Sequence, residues 1–256
     1  MTPAQQVAID AGTRIHYGRD NANVAWTWGS GPVVLFVHGW NGRAAQLAPM
    51  AQQVAWEGYR AVCIDVTAHG ESPGERPSWH HFLDDVTRAA AHFGPIHTFV
   101  GHSAGGLSMM AASAQQRLRA DAFVCICAPS HPFPPIRAIE QLLDPPSRVL
   151  DACRADIARQ FGTTWRELED GMTWRSSTAP LLLINDRKDR FVDHTDGDRI
   201  ASWVPTARLI KTAGHGHTRV LASDELARAL IEFLNERAVL ERHAAGASAF
   251  PLQRQA

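Results

Sequence analysis

Five residues, Gly101-His102-Ser103-Ala104-Gly105, constrain this chain more than any other stretch. They follow a short apolar run, Ile96 to Val100, and precede a small-residue helical stretch, Gly106 to Ala114. That order predicts a strand, a sharp turn carrying a serine, and a helix. The glycines matter because such a turn is strained and leaves little room for side chains around the serine. The serine is lifted above the sheet edge over a helix N-terminus, where unpaired N–H groups and the helix dipole favour negative charge. A serine so placed can attack a carbonyl and have the resulting oxyanion stabilised.

The five-residue pattern is weak evidence alone, so its context has to supply the other parts. The chain has 256 residues, is 45% hydrophobic and 20% charged, and carries a formal net charge of −1. That suits one large domain or a domain with a small insertion, with a real core and nothing that points to nucleic acid or an anionic membrane. The four cysteines (Cys63, Cys125, Cys127, Cys153) lack metal-ligand spacing. They read as reduced core residues of a cytoplasmic protein. The N-terminus, Met1 to Gln6, has no basic region followed by an apolar one, so it does not read as a signal peptide. No apolar run approaches the length of a membrane span.

Strand and helix patterns alternate along the chain. Val24, Trp26 and Trp28 alternate with Ala25 and Thr27, as in a strand with one packed face. Val33–Val37 and Ala61–Val66 are continuous apolar runs, which is how strands covered on both faces read. Further strands are expected at Ala122–Cys127, Pro180–Ile184 and Ala207–Lys211. Helices are expected at Gln46–Trp56, Phe82–Phe93, Thr195–Trp203 and Ser223–Arg237. Prolines cluster after Ser130, and Val149, Cys153, Ile157 and Phe161 recur at four-residue spacing. Thr164 with Glu167 makes a capping box. Residues 130–178 therefore read as a small helical cap insertion, 1–129 and 179–238 as the core, and 239–256 as a fraying tail. Strands alternating with helices mean parallel βαβ units with helices on both faces, and ligands bind beyond the carboxyl ends of such strands.

With these pieces in order, the chain resembles the α/β-hydrolases from about Trp26 to Arg237. The matching segments are Val33–Val37 with His38-Gly39-Trp40, Asp65 to Ser72, Gly101–Gly105, Asp186 to Val192, and Gly214–His217. The resemblance implies a doubly wound, mostly parallel sheet of about eight strands, flanked by helices. It makes Ser103 the nucleophile and gives the backbone N–H groups of Trp40 and Ala104 to an oxyanion hole. The base follows the last strand, which favours His217, with His215 as its competitor two residues earlier. The acid follows Ile184, where Asp189 fits the family spacing better than Asp186 or Asp193. Asp193 is better placed to start the next helix. The implied activity is hydrolysis of a small-molecule carboxylic ester through an acyl-enzyme, with no cofactor and no metal. The short insertion suggests short or medium acyl chains. Thioester or carbon–carbon cleavage and acyl transfer could use the same triad, and a non-catalytic binding module could use the same fold.

Other prominent residues have structural readings. His38 braces its loop, His69 and Ser72 support the site, and His102 points away from the serine's direction. His80, His81 and His194 read as solvated or capping residues. No His-Glu-x-x-His metal motif is present. Trp26, Trp28 and Trp56 read as core, leaving Trp40 and Trp174 as the tryptophans nearest in interest to a site.

Overall fold

In the computed structural model the chain is described over residues 1–248. Eight strands form one sheet in the order β1-β2-β4-β3-β5-β6-β7-β8. They are β1 (Thr13–Tyr17), β2 (Asn23–Trp28), β3 (Val33–Val37), β4 (Arg60–Ile64), β5 (Ile96–His102), β6 (Ala122–Ile126), β7 (Leu181–Asp186) and β8 (Ala207–Thr212). β2 runs antiparallel to both β1 and β4, and every pairing from β4 through β8 is parallel. All six parallel strands therefore end on one edge of the sheet.

Both faces are covered, and β3 shows it residue by residue. Val33, Leu35 and Val37 pack in one core cluster; Val34 and Phe36 pack in the other. Each side chain so buried contributes about 1.5–3 kcal/mol of hydrophobic stabilisation. The first face carries α3 (Trp79–Phe93), α4 (Ala104–Ala114) and α9 (Thr195–Trp203); the second carries α1 (Pro3–Asp10), α2 (Ala48–Trp56) and α11 (Asp224–Ser248). α3 begins where Ser78 Oγ accepts from His81 N–H, and it buries Phe82, Val86, Ala89 and Phe93 along one side.

Between β6 and β7 lie α5 (Pro134–Leu143), α6 (Ser147–Gln160), α7 (Trp165–Glu169) and α8 (Met172–Arg175). Thr164 and Glu167 cap α7 reciprocally, at 3.3 and 3.0 Å. α8 packs on α4 and α9, and α6 packs on α3.

Some local expectations change. α1 and β1 escape the sequence pattern because β1 is an edge strand with only its last residue, Tyr17, fully buried. β2 is buried on both faces, since small Ala25 packs opposite Val24 and Trp26. Trp56 is not core: it stands 74% exposed at the end of α2. Trp174 is fully buried, its indole N–H donating to Ser130 O at 2.7 Å. The last helix continues past Arg237 to Ser248 because Ala, Glu, Leu and Arg, all good helix formers, follow it. The remainder of the expected tail, 249–256, lies outside the described residues. Among the described residues no helix is long and apolar enough to cross a membrane.

Candidate active site

Ser103 stands between β5 and α4 with φ +51°, a left-handed conformation that costs a non-glycine residue of order 1 kcal/mol or more. The surroundings enforce it. Ser103 N–H donates to Ile126 O at 2.8 Å, tying the turn to β6. A Cβ on Gly101 would meet Gly106 Cα at 2.5 Å, and one on Gly105 would meet Val37 O and His38 O at 2.5 Å. The strand, the helix and the β3 loop thus approach closely enough to need bare backbone at both positions. Ser103 is half-buried, and among the described residues its hydroxyl has no hydrogen-bond partner.

The β3 loop lies against this turn. Gly42 N–H closes a tight turn on Gly39 O at 2.9 Å. His38 is buried, with Nδ1–H donating to Gly39 O at 2.7 Å and Nε2 accepting from Val66 N–H at 3.1 Å. Burial pulls its pKa down to about 3, so the ring is a neutral strut between β3 and β4. His69 Nε2 accepts from Asn41 N–H at 3.2 Å, and Ser72 Oγ links Val24 N–H to Asp65 O. The Trp40 ring stacks on Phe82 at 5.5 Å and leans on Trp79 at 5.2 Å. Among the described residues Trp40 N–H donates to no protein acceptor, and Ala104 N–H opens α4, where amides have no intrahelical partner.

After β8, His217 sits in the short helix α10 (Gly216–Arg219). Its Nδ1–H donates to Asp189 Oδ2 at 2.6 Å, with the two side chains 14% and 1% exposed. Asp189 Oδ1 accepts from Phe191 N–H and Val192 N–H at 2.8 and 3.0 Å. Burial pushes this carboxyl's pKa up, but the His217 hydrogen bond and charge, with the two amides, outweigh it and hold the group below its usual value.

The competing residues have other work. Asp186 accepts from Lys188 N–H and Gly216 N–H on Oδ1, and from Thr212 Oγ1–H and His215 N–H on Oδ2, at 2.8–3.1 Å. Burial raises its pKa, but these four donors prevail and hold it at about 2. It is the anchor of the His217 loop. His215 gives its backbone to that anchor and its carbonyl to Arg219. Asp193 accepts from Thr195 N–H and Oγ1–H where α9 begins.

His102 is a part that sequence reasoning undervalued. Its Nε2–H donates to His217 O at 2.9 Å, and the two rings lie 4.7 Å apart. Burial pulls its pKa to about 3, so it is a neutral donor that pins the His217 backbone. The other face of the His217 ring meets Phe191 at 5.2 Å.

One cavity of about 460 Å³ gathers these elements; Trp40, Ser103, Ala104 and His217 line it, with Trp79, Phe191, Val192 and Pro129 among its apolar walls. For a metal, the described residues offer one cluster: Cys127 Sγ, an Asp189 oxygen and a His217 nitrogen lie within 4.8 Å of one another. The carboxylate and imidazole already satisfy each other there. Burial and the Asp189 charge push the Cys127 thiol's pKa up, which keeps it a protonated, poor ligand.

Residues 34–229 match the model of the alpha/beta hydrolase family, and the chain belongs to that family. Pimeloyl-[acyl-carrier protein] methyl ester esterase from Xanthomonas campestris pv. campestris is 23% identical over 263 residues, covering 80% of this chain and 96% of that protein. A non-heme haloperoxidase from Rhodococcus erythropolis is 33% identical over 84 residues, 31% of this chain and 30% of that one. Est1E from Butyrivibrio proteoclasticus, solved with ferulic acid bound, superimposes with a TM-score of 0.65 at 16% identity, over 87% of this chain and 99% of that chain. That last likeness shows the fold. The chain is an alpha/beta hydrolase.

Proposed function

We propose that this hydrolase cleaves small-molecule carboxylic esters of short or medium acyl chain, using Ser103 as nucleophile. His217 takes the serine proton and returns it to the leaving alcohol. Asp189 fixes the ring with Nδ1 protonated, which turns Nε2 into the acceptor and stabilises the imidazolium that forms. The amides of Trp40 and Ala104 hold the oxyanion, each such donor contributing about 2.7–4 kcal/mol to the transition state. Water, activated by the same imidazole, then releases the acyl group.

The observation that carries this reading is the largely buried 2.6 Å pair of His217 and Asp189, whose imidazole lines the same cavity as Ser103. Ser103 and His217 line the same cavity, and catalytic hydrogen bonds commonly tighten around substrate. A volume of about 460 Å³ suits a short or medium acyl group rather than a long one. Residues 130–178 act on this reading as a cap, since Pro134, Pro135 and Ala138 contribute a wall. The free cysteines fit a cytoplasmic setting. Turnover of p-nitrophenyl butyrate should vanish in Ser103→Ala with the melting temperature kept. A series from acetate to palmitate should peak at or below medium length; a palmitate optimum would contradict the acyl assignment.

A further inference from the structure

The cavity is uncharged inside, and exposed arginines flank the segments that line it. No Asp, Glu, Lys or Arg is among its described lining residues. Next in sequence to a lining residue stand Arg43, Arg137, Arg190 and Arg219, all exposed, and one exposed acid, Asp193. They come from four separate elements: the β3 loop, α5, the β7 loop and α10. Asp193 is already engaged by Thr195 N–H and Oγ1–H. Among the described residues none of the four arginines has an ion-pair partner within 4.0 Å. Arg219 donates to His215 O; Arg137 feels the charge of Asp193 and Arg43 that of Asp65, without a hydrogen bond to either. This concentration of cations stands on a chain whose formal net charge is −1.

A charged group inside the cavity would lose its hydration with no countercharge to replace it. The same group at the rim would keep water and gain guanidinium forks, whose geometry matches carboxylate and phosphate. We propose that the ester this enzyme takes carries an anionic tail, a phosphate or carboxylate on a short spacer. Arg43, Arg137 and Arg190 hold that tail at the rim while the uncharged acyl group occupies the cavity. The proposal rests on the ester-hydrolase reading for its chemistry but not for its binding.

The test compares three butyrate esters: of 3-hydroxypropyl phosphate, of 4-hydroxybutanoate, and of neutral 3-methoxypropanol. At low salt, the wild type should favour an anionic ester over the neutral one by about tenfold in kcat/KM, mostly through KM. The advantage should collapse in 0.5 M NaCl, where the screening length is only a few ångströms. The variant R43Q/R137Q/R190Q should lose the preference while its neutral-ester turnover stays within about twofold of wild type. Comparing the phosphate and carboxylate esters shows which anion the rim takes. Equal kcat/KM for charged and neutral esters, or a triple variant that weakens all three alike, overturns the proposal and leaves ester hydrolysis standing. Calorimetric titration of Ser103→Ala, with and without the triple substitution, reads binding without turnover. Salt-sensitive binding of the anionic esters there, with no hydrolysis by wild type, would retain the rim and remove the hydrolase reading.

Discussion

Asp189→Asn is the substitution whose effect the geometry fixes most tightly. The side chain is almost completely buried and is held by three donors, so the isosteric amide has nowhere else to go. Its oxygen can still accept from Phe191 N–H and Val192 N–H. Its NH2 group then faces His217 Nδ1, where a second hydrogen cannot be tolerated. The ring answers by moving its proton to Nε2, the nitrogen that should accept from Ser103. The base becomes a donor, and the stabilisation of the imidazolium is lost with it. The same change in a serine-protease triad lowers kcat by about 10⁴. At 1.36 kcal/mol per decade that is about 5 kcal/mol of transition-state stabilisation. The assay is steady-state hydrolysis of p-nitrophenyl butyrate, with a thermal melt as control. KM should change little. A correctly folded variant that keeps more than a tenth of wild-type kcat would refute the reasoning.

Asp186→Asn should lower stability at neutral pH through the His217 loop. The folded carboxyl sits near 2 and the unfolded one near 3.9, so the native state binds this proton less tightly. Its contribution is present above about pH 4 and is lost as pH falls through 2, which amounts to about 2–3 kcal/mol at pH 7. The melting temperature should drop by about 4–8 °C at pH 7, and the gap to wild type should narrow in acid. His102→Ala removes the buried donor to His217 O; losing such a bond costs about 1–1.5 kcal/mol, so kcat should fall about tenfold with KM little changed. An unaffected kcat would show that this pin does not position the base.

The sheet was legible because its central strands are apolar runs with no alternation, which only a two-sided core explains. The turn at Ser103 was legible because its glycines sit where close backbone approach forbids a side chain. Less could be read at the sheet edges. β1 offers a single buried apolar residue, and α11 continues into a stretch whose helix formers carry no amphipathic stripe. The supporting roles of Asp186 and His102 were hidden for another reason. Asp186 meets Thr212 because β7 and β8 pair in a particular register. His102 and His217 are far apart in the chain and meet only when the loops fold over the sheet edge. Such contacts leave no local pattern in sequence.

The proposed catalysis depends on one hydroxyl, that of Ser103, made reactive by one imidazole, that of His217. A fluorophosphonate probe, with the adduct located by mass spectrometry of the peptides, measures that directly. A single adduct on Ser103 is expected, absent in Ser103→Ala and slowed at least about a hundredfold in His217→Ala, a typical contribution of a general base. Labelling elsewhere in the chain, or labelling of Ser103 at an undiminished rate without His217, would contradict it.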